Sequence, residues 1–207
     1  MHSVDGQTCR QFDCLVVDSG SIFTQVFCKY AGGNTEVVTS NEPRNLSSMF
    51  CPTSWVLNRF IETTKGDWIT CLCDDDMLLP SYIEAFDKHL RANSVEPQCA
   101  YTGQLRVATD ASGAIIKVNK IFHARRRRGP WSVDCEVDYL QFTFNRAMWK
   151  ALCEQYDGRP FPESLATAHH NDGIFMKRAT RISKAIPVPG IHCINRRHPS
   201  AQYAGTR

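Results

Sequence analysis

The sequence predicts an α/β fold, a mostly parallel sheet flanked by helices, and three observations predict it. Up to residue 76 the chain reads helix, strand, helix, strand, helix, strand, the alternation that builds parallel sheets covered on both faces. Residues 66 to 86, GDWITCLCDDDMLLPSYIEAF, read as a strand, an acidic tip and a helix; open α/β sheets present ligands with this arrangement at the carboxyl ends of their strands. The 207 residues are 43% hydrophobic and 22% charged, an ordinary balance for one globular domain with a substantial core.

The elements follow from local chemistry. Residues 1 to 11, MHSVDGQTCRQ, look like a helix end and a turn, and Phe12 to Val17 is an apolar strand. Ile22 to Tyr30 reads as a helix broken by Ala31-Gly32-Gly33-Asn34, Glu36 to Thr39 as a short strand, and residues 40 to 51 as loop. Pro52 to Thr64 reads as a helix with Trp55, Val56 and Phe60 inward and Leu57 as a further candidate, closed by Lys65-Gly66. Trp68 to Cys73 is a buried strand. Pro80 suits a helix first turn, and Ile83, Phe86 and Leu90 carry helical spacing to about Asn93. Cys99 to Thr109 and Ala114 to Asn119 flank the turn Asp110-Ala111-Ser112-Gly113 and make a hairpin. Asn145 to Tyr156 is a helix, another follows His169-His170-Asn171-Asp172, and Pro187 and Pro189 lead an extended tail ending at His198. The chain divides into an amino-terminal half, 1–97, and a carboxy-terminal half, 98–207, of one domain.

Composition excludes several classes. A net charge of +3 and a pI near 8.3 are too mild to imply nucleic acid. No apolar run reaches membrane-spanning length, and no signal-peptide pattern opens the chain. The ten cysteines are scattered without a C-x-x-C pair, which indicates free thiols in a reducing compartment, hence the cytoplasm.

The chemistry-bearing candidates are few. Asp74, Asp75 and Asp76 repel one another unless solvent, protein cations or a metal compensates. Hard carboxylate oxygens suit Mg or Mn, while the plainer reading is a solvated acidic turn at a helix start. Asp18-Ser19 ends the first strand as a polar tip or as a helix cap. Asp172 opens a helix, where the dipole favours an acid. Arg125 to Arg128 form a basic run, either solvated surface or a contact to a diphosphate, an anionic membrane or nucleic acid.

Four segments in order resemble the family-2 glycosyltransferases of GT-A fold, and among them look most like the bacterial spore-coat polysaccharide type. These are QTCRQFDCLVVDSGS, NRFIETTKGDWITCLCDDDMLLPSYI, HHNDGIFMKRA and NRRHPS. The resemblance covers nearly the whole chain. It implies a Rossmann-like nucleotide-diphospho-sugar transferase fold with a nucleotide-binding half (1–97) and an acceptor-binding half (98–207). It further implies transfer of a sugar from a UDP- or GDP-linked donor to a hydroxyl of a glycan or lipid-linked acceptor, with Mn or Mg as cofactor and inversion at the anomeric carbon. By the same resemblance Asp75 binds the metal, Asp76 is a third acid beside it, and Asp74 lies near the ribose. Asp18 and Ser19 face the nucleobase, Asp172 is the general base, and His198, or else His192, sits by the diphosphate or metal.

Three positions depart from the family pattern. Its opening strand is absent, Cys73 replaces the first acid of the metal motif, and Pro52 stands where some relatives carry a phosphate-contacting arginine. Two further readings stay open: a non-catalytic GT-A-like module in an assembly, and anion or nucleic-acid binding through Arg125 to Arg128. Peripheral contact with the inner face of the membrane and a homo-oligomer are both compatible with the sequence.

Overall fold

The computed structural model describes residues 2–18, 35–39, 52–93, 97–125, 131–132 and 137–197. The expected helix at 22–30, the loop at 40–51, Ser19, Arg126 to Arg128 and His198 lie outside the described residues.

The chain opens with a short helix, α1 (His2–Asp5), then β1 (Cys14–Asp18) and β2 (Thr35–Thr39). Helix α2 (Pro52–Phe60) runs into a 3-10 turn (Ile61–Thr63) and is followed by β3 (Trp68–Thr70), β4 (Met77–Leu78) and α3 (Tyr82–Arg91). Next come β5 (Cys99–Thr109), β6 (Ile115–Phe122), a 3-10 turn (Tyr139–Gln141) and β7 (Phe142–Asn145). Helix α4 (Arg146–Gln155), a 3-10 segment (Leu165–His170), α5 (Asn171–Ile182) and β8 (Ile186–Arg197) complete the described chain.

The strands form two sheets. One is the parallel pair β1–β2; the other has six strands in the order β3-β7-β5-β8-β4, with β6 also paired to β5. The expectation of mostly parallel pairing holds for β1–β2 and β5–β8. The other four pairings are antiparallel. For β5 and β6 the reason is local, since a tight turn joins them and hairpin connections reverse direction; the other three join strands distant in sequence. Among the described strands β3 pairs on one side only, with β7.

Two short strands were not legible in the sequence. β4 is two residues inside a stretch that reads as a loop, and β7 is hidden ahead of α4. The proline-led tail is the interior strand β8. Pro189 fits there because it falls where the β5–β8 register shifts between Thr102 and Gly103, an irregularity that relieves the ladder of its missing N–H group, while Pro187 lies opposite Tyr101 ahead of the shift.

The six-stranded sheet separates two apolar layers. On one side Phe142, Phe144, Trp149, Phe161, Phe175 and Met176 pack together, with the Phe161 and Phe175 rings stacked at 3.9 Å and 12°. On the other, Tyr82 and Phe86 of α3 pack with Leu78, Val188 and Cys193. Each such buried side chain contributes on the order of 1.5–3 kcal/mol. The seven cysteines among the described residues form no disulfide with one another.

Gln7 explains why the amino-terminal stretch is needed. Its Nε2 donates to the carbonyls of Ser3 and Leu79, both at 2.8 Å, and its Oε1 accepts from the Ile83 amide at 3.1 Å. That amide is one of the orphan donors of the α3 amino terminus. The Thr8 amide donates to the Pro80 carbonyl at 2.9 Å. The QT pair therefore fixes the start of the helix behind the acidic tip.

Candidate active site

The acidic tip is a tight turn held by two strands. The Asp76 amide donates to the Cys73 carbonyl at 3.2 Å. Directly after it, Met77 and Leu78 pair with Ile194 and Cys193, which sets Asp76 against the end of β8. Asp76 Oδ1 accepts from Asn195 Nδ2 at 3.1 Å and from the Arg196 amide at 3.2 Å. The Arg196 side chain reaches back across the turn, Nε donating to the Asp75 carbonyl at 2.5 Å and Nη2 to the Asp74 carbonyl at 3.5 Å.

Cys73, Asp75 and Asp76 each offer a donor atom, and these atoms lie within 4.8 Å of one another. Asp76 is buried, while Asp74 and Asp75 are exposed. Burial pushes the Asp76 carboxyl up to about 7; the charges of Asp138 and Asp75 add to this, and the bonds from Arg196 and Asn195 oppose it. Burial also raises Asp75, helped by the charge of Asp74. Carboxylates held together against their own repulsion are chemically suited to a hard divalent cation. The Cys73 thiol is pushed well above its ordinary range by burial and then by Asp76 and Asp75. A neutral thiol is a poor ligand for Mg or Mn, since the thiolate is the ligand form and a soft one. The donor set therefore fits such an ion through Asp75 and Asp76.

Asp75 and Arg196 line a cleft of about 260 Å³, closed by Thr109, Ala111, Ser112 and Gly113 of the β5–β6 turn. That turn is fastened by Asp110, whose Oδ1 accepts from the Ser112 amide at 2.8 Å and the Ala114 amide at 3.0 Å. A carboxylate and a guanidinium thus share one opening, and the guanidinium matches a phosphate group.

Asp172 sits in the first turn of α5, half-buried, with its Oδ1 accepting from the Gly173 amide at 2.7 Å. The neighbouring Asn171 is buried and donates to Ser54 Oγ at 3.1 Å, tying α5 to α2. Burial raises the Asp172 carboxyl to about 6; the charge of Asp138 adds to this, and His170 acts the other way. Asp172 is not among the walls of the cleft beside Asp75. The charge of Asp138 adds to the rise of both Asp76 and Asp172.

Asp138 was not a candidate in the sequence, because it stands alone between segments with no motif around it. Its Oδ2 accepts from Gln104 Nε2 at 2.7 Å, and its amide donates to Gln141 Oε1 at 3.2 Å. Its Oδ1 is shut from solvent with no hydrogen-bond partner among the described residues. Burial raises its carboxyl as well. Asn195 and Arg196 were also missed, although they fall inside the NRRHPS segment, where the only residue singled out was His198.

The remaining expectations divide plainly. Asp18 ends β1, paired with Thr39 in the separate two-stranded sheet; its side chain and Ser19 lie outside what is described, as does His198. His192 is held structurally: its Nδ1 pairs with Ser81 Oγ and its Nε2 with the Pro189 carbonyl, both at 2.9 Å. Both ring nitrogens are thereby engaged at the start of α3.

These elements make up an α/β nucleotide-sugar transferase fold of GT-A type, with the acidic turn at the strand ends. Among solved structures the chain is similar to S. aureus TarS 1-349 in complex with UDP-GlcNAc, with a TM-score of 0.64 and 14% sequence identity. The match covers 100% of this chain and 56% of that one, so the chain spans little more than half the length of its structural neighbour. No protein-family model matches the chain, and no curated protein matches its sequence. Among the described residues no helix is long and apolar enough to cross a membrane.

Proposed function

We propose that this protein is a glycosyltransferase of family-2 type that moves a sugar from a nucleotide-diphosphate sugar to a hydroxyl of a glycan or lipid-linked acceptor, with inversion. The observation that carries the reading is the grouping of Asp75 and Asp76, with Asp75 in the wall of the Arg196 cleft, on a fold similar to a structure holding UDP-GlcNAc. Within that family we read the four segments quoted above as being of the spore-coat polysaccharide type. Residues 1–97 supply the nucleotide half and 98–207 the acceptor half, and the setting is cytoplasmic.

In this reading Asp75 and Asp76 hold Mn or Mg. When bound there, a divalent cation neutralises the charge that builds on the departing nucleoside diphosphate. Arg196 adds a fixed positive charge at the same opening, and its bonds to the Asp74 and Asp75 carbonyls keep the turn in shape. Asn195 holds Asp76 in one orientation. Asp74, Asp18 and Ser19 contact the ribose and base, and His198 lies beside the diphosphate. Asp172 accepts the proton of the attacking acceptor hydroxyl. A carboxyl raised to about 6 is a stronger base than an ordinary aspartate while still ionised at neutral pH. With one base and no carboxylate nucleophile, the sugar is displaced once and its anomeric configuration inverts.

Calorimetry with UDP- and GDP-sugars in the presence of Mn tests the reading directly. Binding that needs Mn and is lost in Asp75→Asn is expected, and an absence of binding to every nucleotide sugar sinks it. The replacement of the first motif acid by Cys73 favours a second reading, a GT-A-like module that binds without turnover. On that reading Asp172→Asn leaves the biological output unchanged.

A further inference from the structure

We infer that the exposed edge strand β6 is a docking surface for an anionic lipid bilayer. The inference is independent of the transferase reading. Among the described strands β6 pairs only with β5, and it carries four large apolar side chains in solvent: Ile115 at 50%, Ile116 at 66%, Val118 at 51% and Ile121 at 50% exposure. A contiguous apolar edge of this kind marks an interaction site or an aggregation hazard.

The register sorts these side chains. Thr109 faces Ile115, Ala108 faces Lys117, Val107 faces Val118, Arg106 faces Lys120 and Leu105 faces Ile121, with shifts between Arg106 and Val107 and between Ala108 and Thr109. Partners in an antiparallel pair share a face, and faces alternate along β5. Ile115, Val118 and Ile121 therefore fall on one face, and Lys117 and Lys120 on the other. A regular strand would have turned Val118 away from Ile115 and Ile121; the two irregularities bring it back. The cation contacts agree with this assignment, since Arg106 and Lys120 both lie over the Phe122 ring, at 4.7 and 4.5 Å. The result is a strand with an apolar face backed by a basic one.

The charge selects the occupant. Between Asp110 and Asp134 the sequence has no carboxylate, and among the described residues of that stretch Lys117, Lys120 and Arg125 are cations. Apolar side chains sinking below the headgroups, with lysines at headgroup level, is how amphipathic elements bind anionic membranes. A second copy of the chain docking through this edge would bring like charges together. The turn that opens β6 also walls the Asp75 cleft, so this docking sets the cleft close to the bilayer surface.

The test is co-sedimentation of the full chain with vesicles of phosphatidylcholine alone or mixed with phosphatidylglycerol, alongside light scattering. The chain is expected to bind the mixed vesicles at least about tenfold more tightly, with the preference falling in high salt. Ile115→Ser with Val118→Ser should weaken binding about tenfold with the melting temperature unchanged, and Lys117→Glu with Lys120→Glu should abolish the preference for anionic lipid. Equal or absent binding to both vesicles overturns the proposal, as does serine-variant binding equal to wild type. A dimer that the serine pair converts to monomer, without vesicle binding, would show that a second copy covers the edge.

Discussion

Asn195 holds Asp76 across 119 residues of sequence, Nδ2 donating to Oδ1 at 3.1 Å. The bond joins the acidic turn to the far end of the chain, because β4 pairs with β8 one residue beyond it. The Asp76 carboxyl is raised first by its burial and further by the charges of Asp138 and Asp75.

The Asp76 site makes metal-free stability depend on pH in a stated direction. Its carboxyl is raised from 3.8 to about 7 in the fold, so between those values the folded chain holds more protons than the unfolded one. Stability contributed by this group therefore falls as pH rises through that window. Asp76→Asn in metal-free buffer should raise stability at pH 8 by about 2 kcal/mol and change little at pH 4. Thermal melts at the two pH values check this. Mn should stabilise the wild type at pH 8 and leave the variant unmoved.

Removing the carboxylate of Asp172 should leave nucleotide binding intact and abolish turnover. Asp172→Asn is expected to lower kcat by about 10²–10⁴, with donor affinity by calorimetry unchanged. In the wild type kcat should climb with pH and level off above about 6, where the Asp172 carboxyl is ionised. An undiminished kcat in the variant removes Asp172 as the base.

Asp138 should act through its neighbours. Asp138→Asn keeps an oxygen for Gln104 Nε2 and deletes a charge that raises both Asp76 and Asp172. The acid limb of the kcat profile should shift to lower pH, and Mn binding should persist to lower pH. A merely structural role would lower both activities without moving either profile.

The core of the sheet should be intolerant at Gly103. A Cβ there would lie 2.5 Å from the Gly190 carbonyl oxygen and 2.7 Å from that of Phe122. Both obstacles are backbone, and Gly190 itself has a positive φ of 101°, open to glycine and strained for other residues. Gly103→Ala should cost about 3 kcal/mol, read by urea denaturation.

The sequence by itself determined the strand, acidic tip and helix around Asp75, the β5–β6 hairpin and the helices that carry Trp149 and Phe175. Those features are local: alternation, helical spacing and turn residues act within about a dozen positions. Tertiary structure alone decided the role of Asp138, the grip of Asn195 and Arg196 on the acidic turn, and the interior place of the proline-led β8. It also decided that the sheet is mixed, since β4 and β7 are too short to register as patterns. Each of these rests on pairing between residues far apart in the chain, and nothing in the neighbourhood of Asp138 or Asn195 announces a partner that distant. The facing of Ile115, Val118 and Ile121 is of the same kind, because it follows from two register shifts against β5 and not from the spacing along β6.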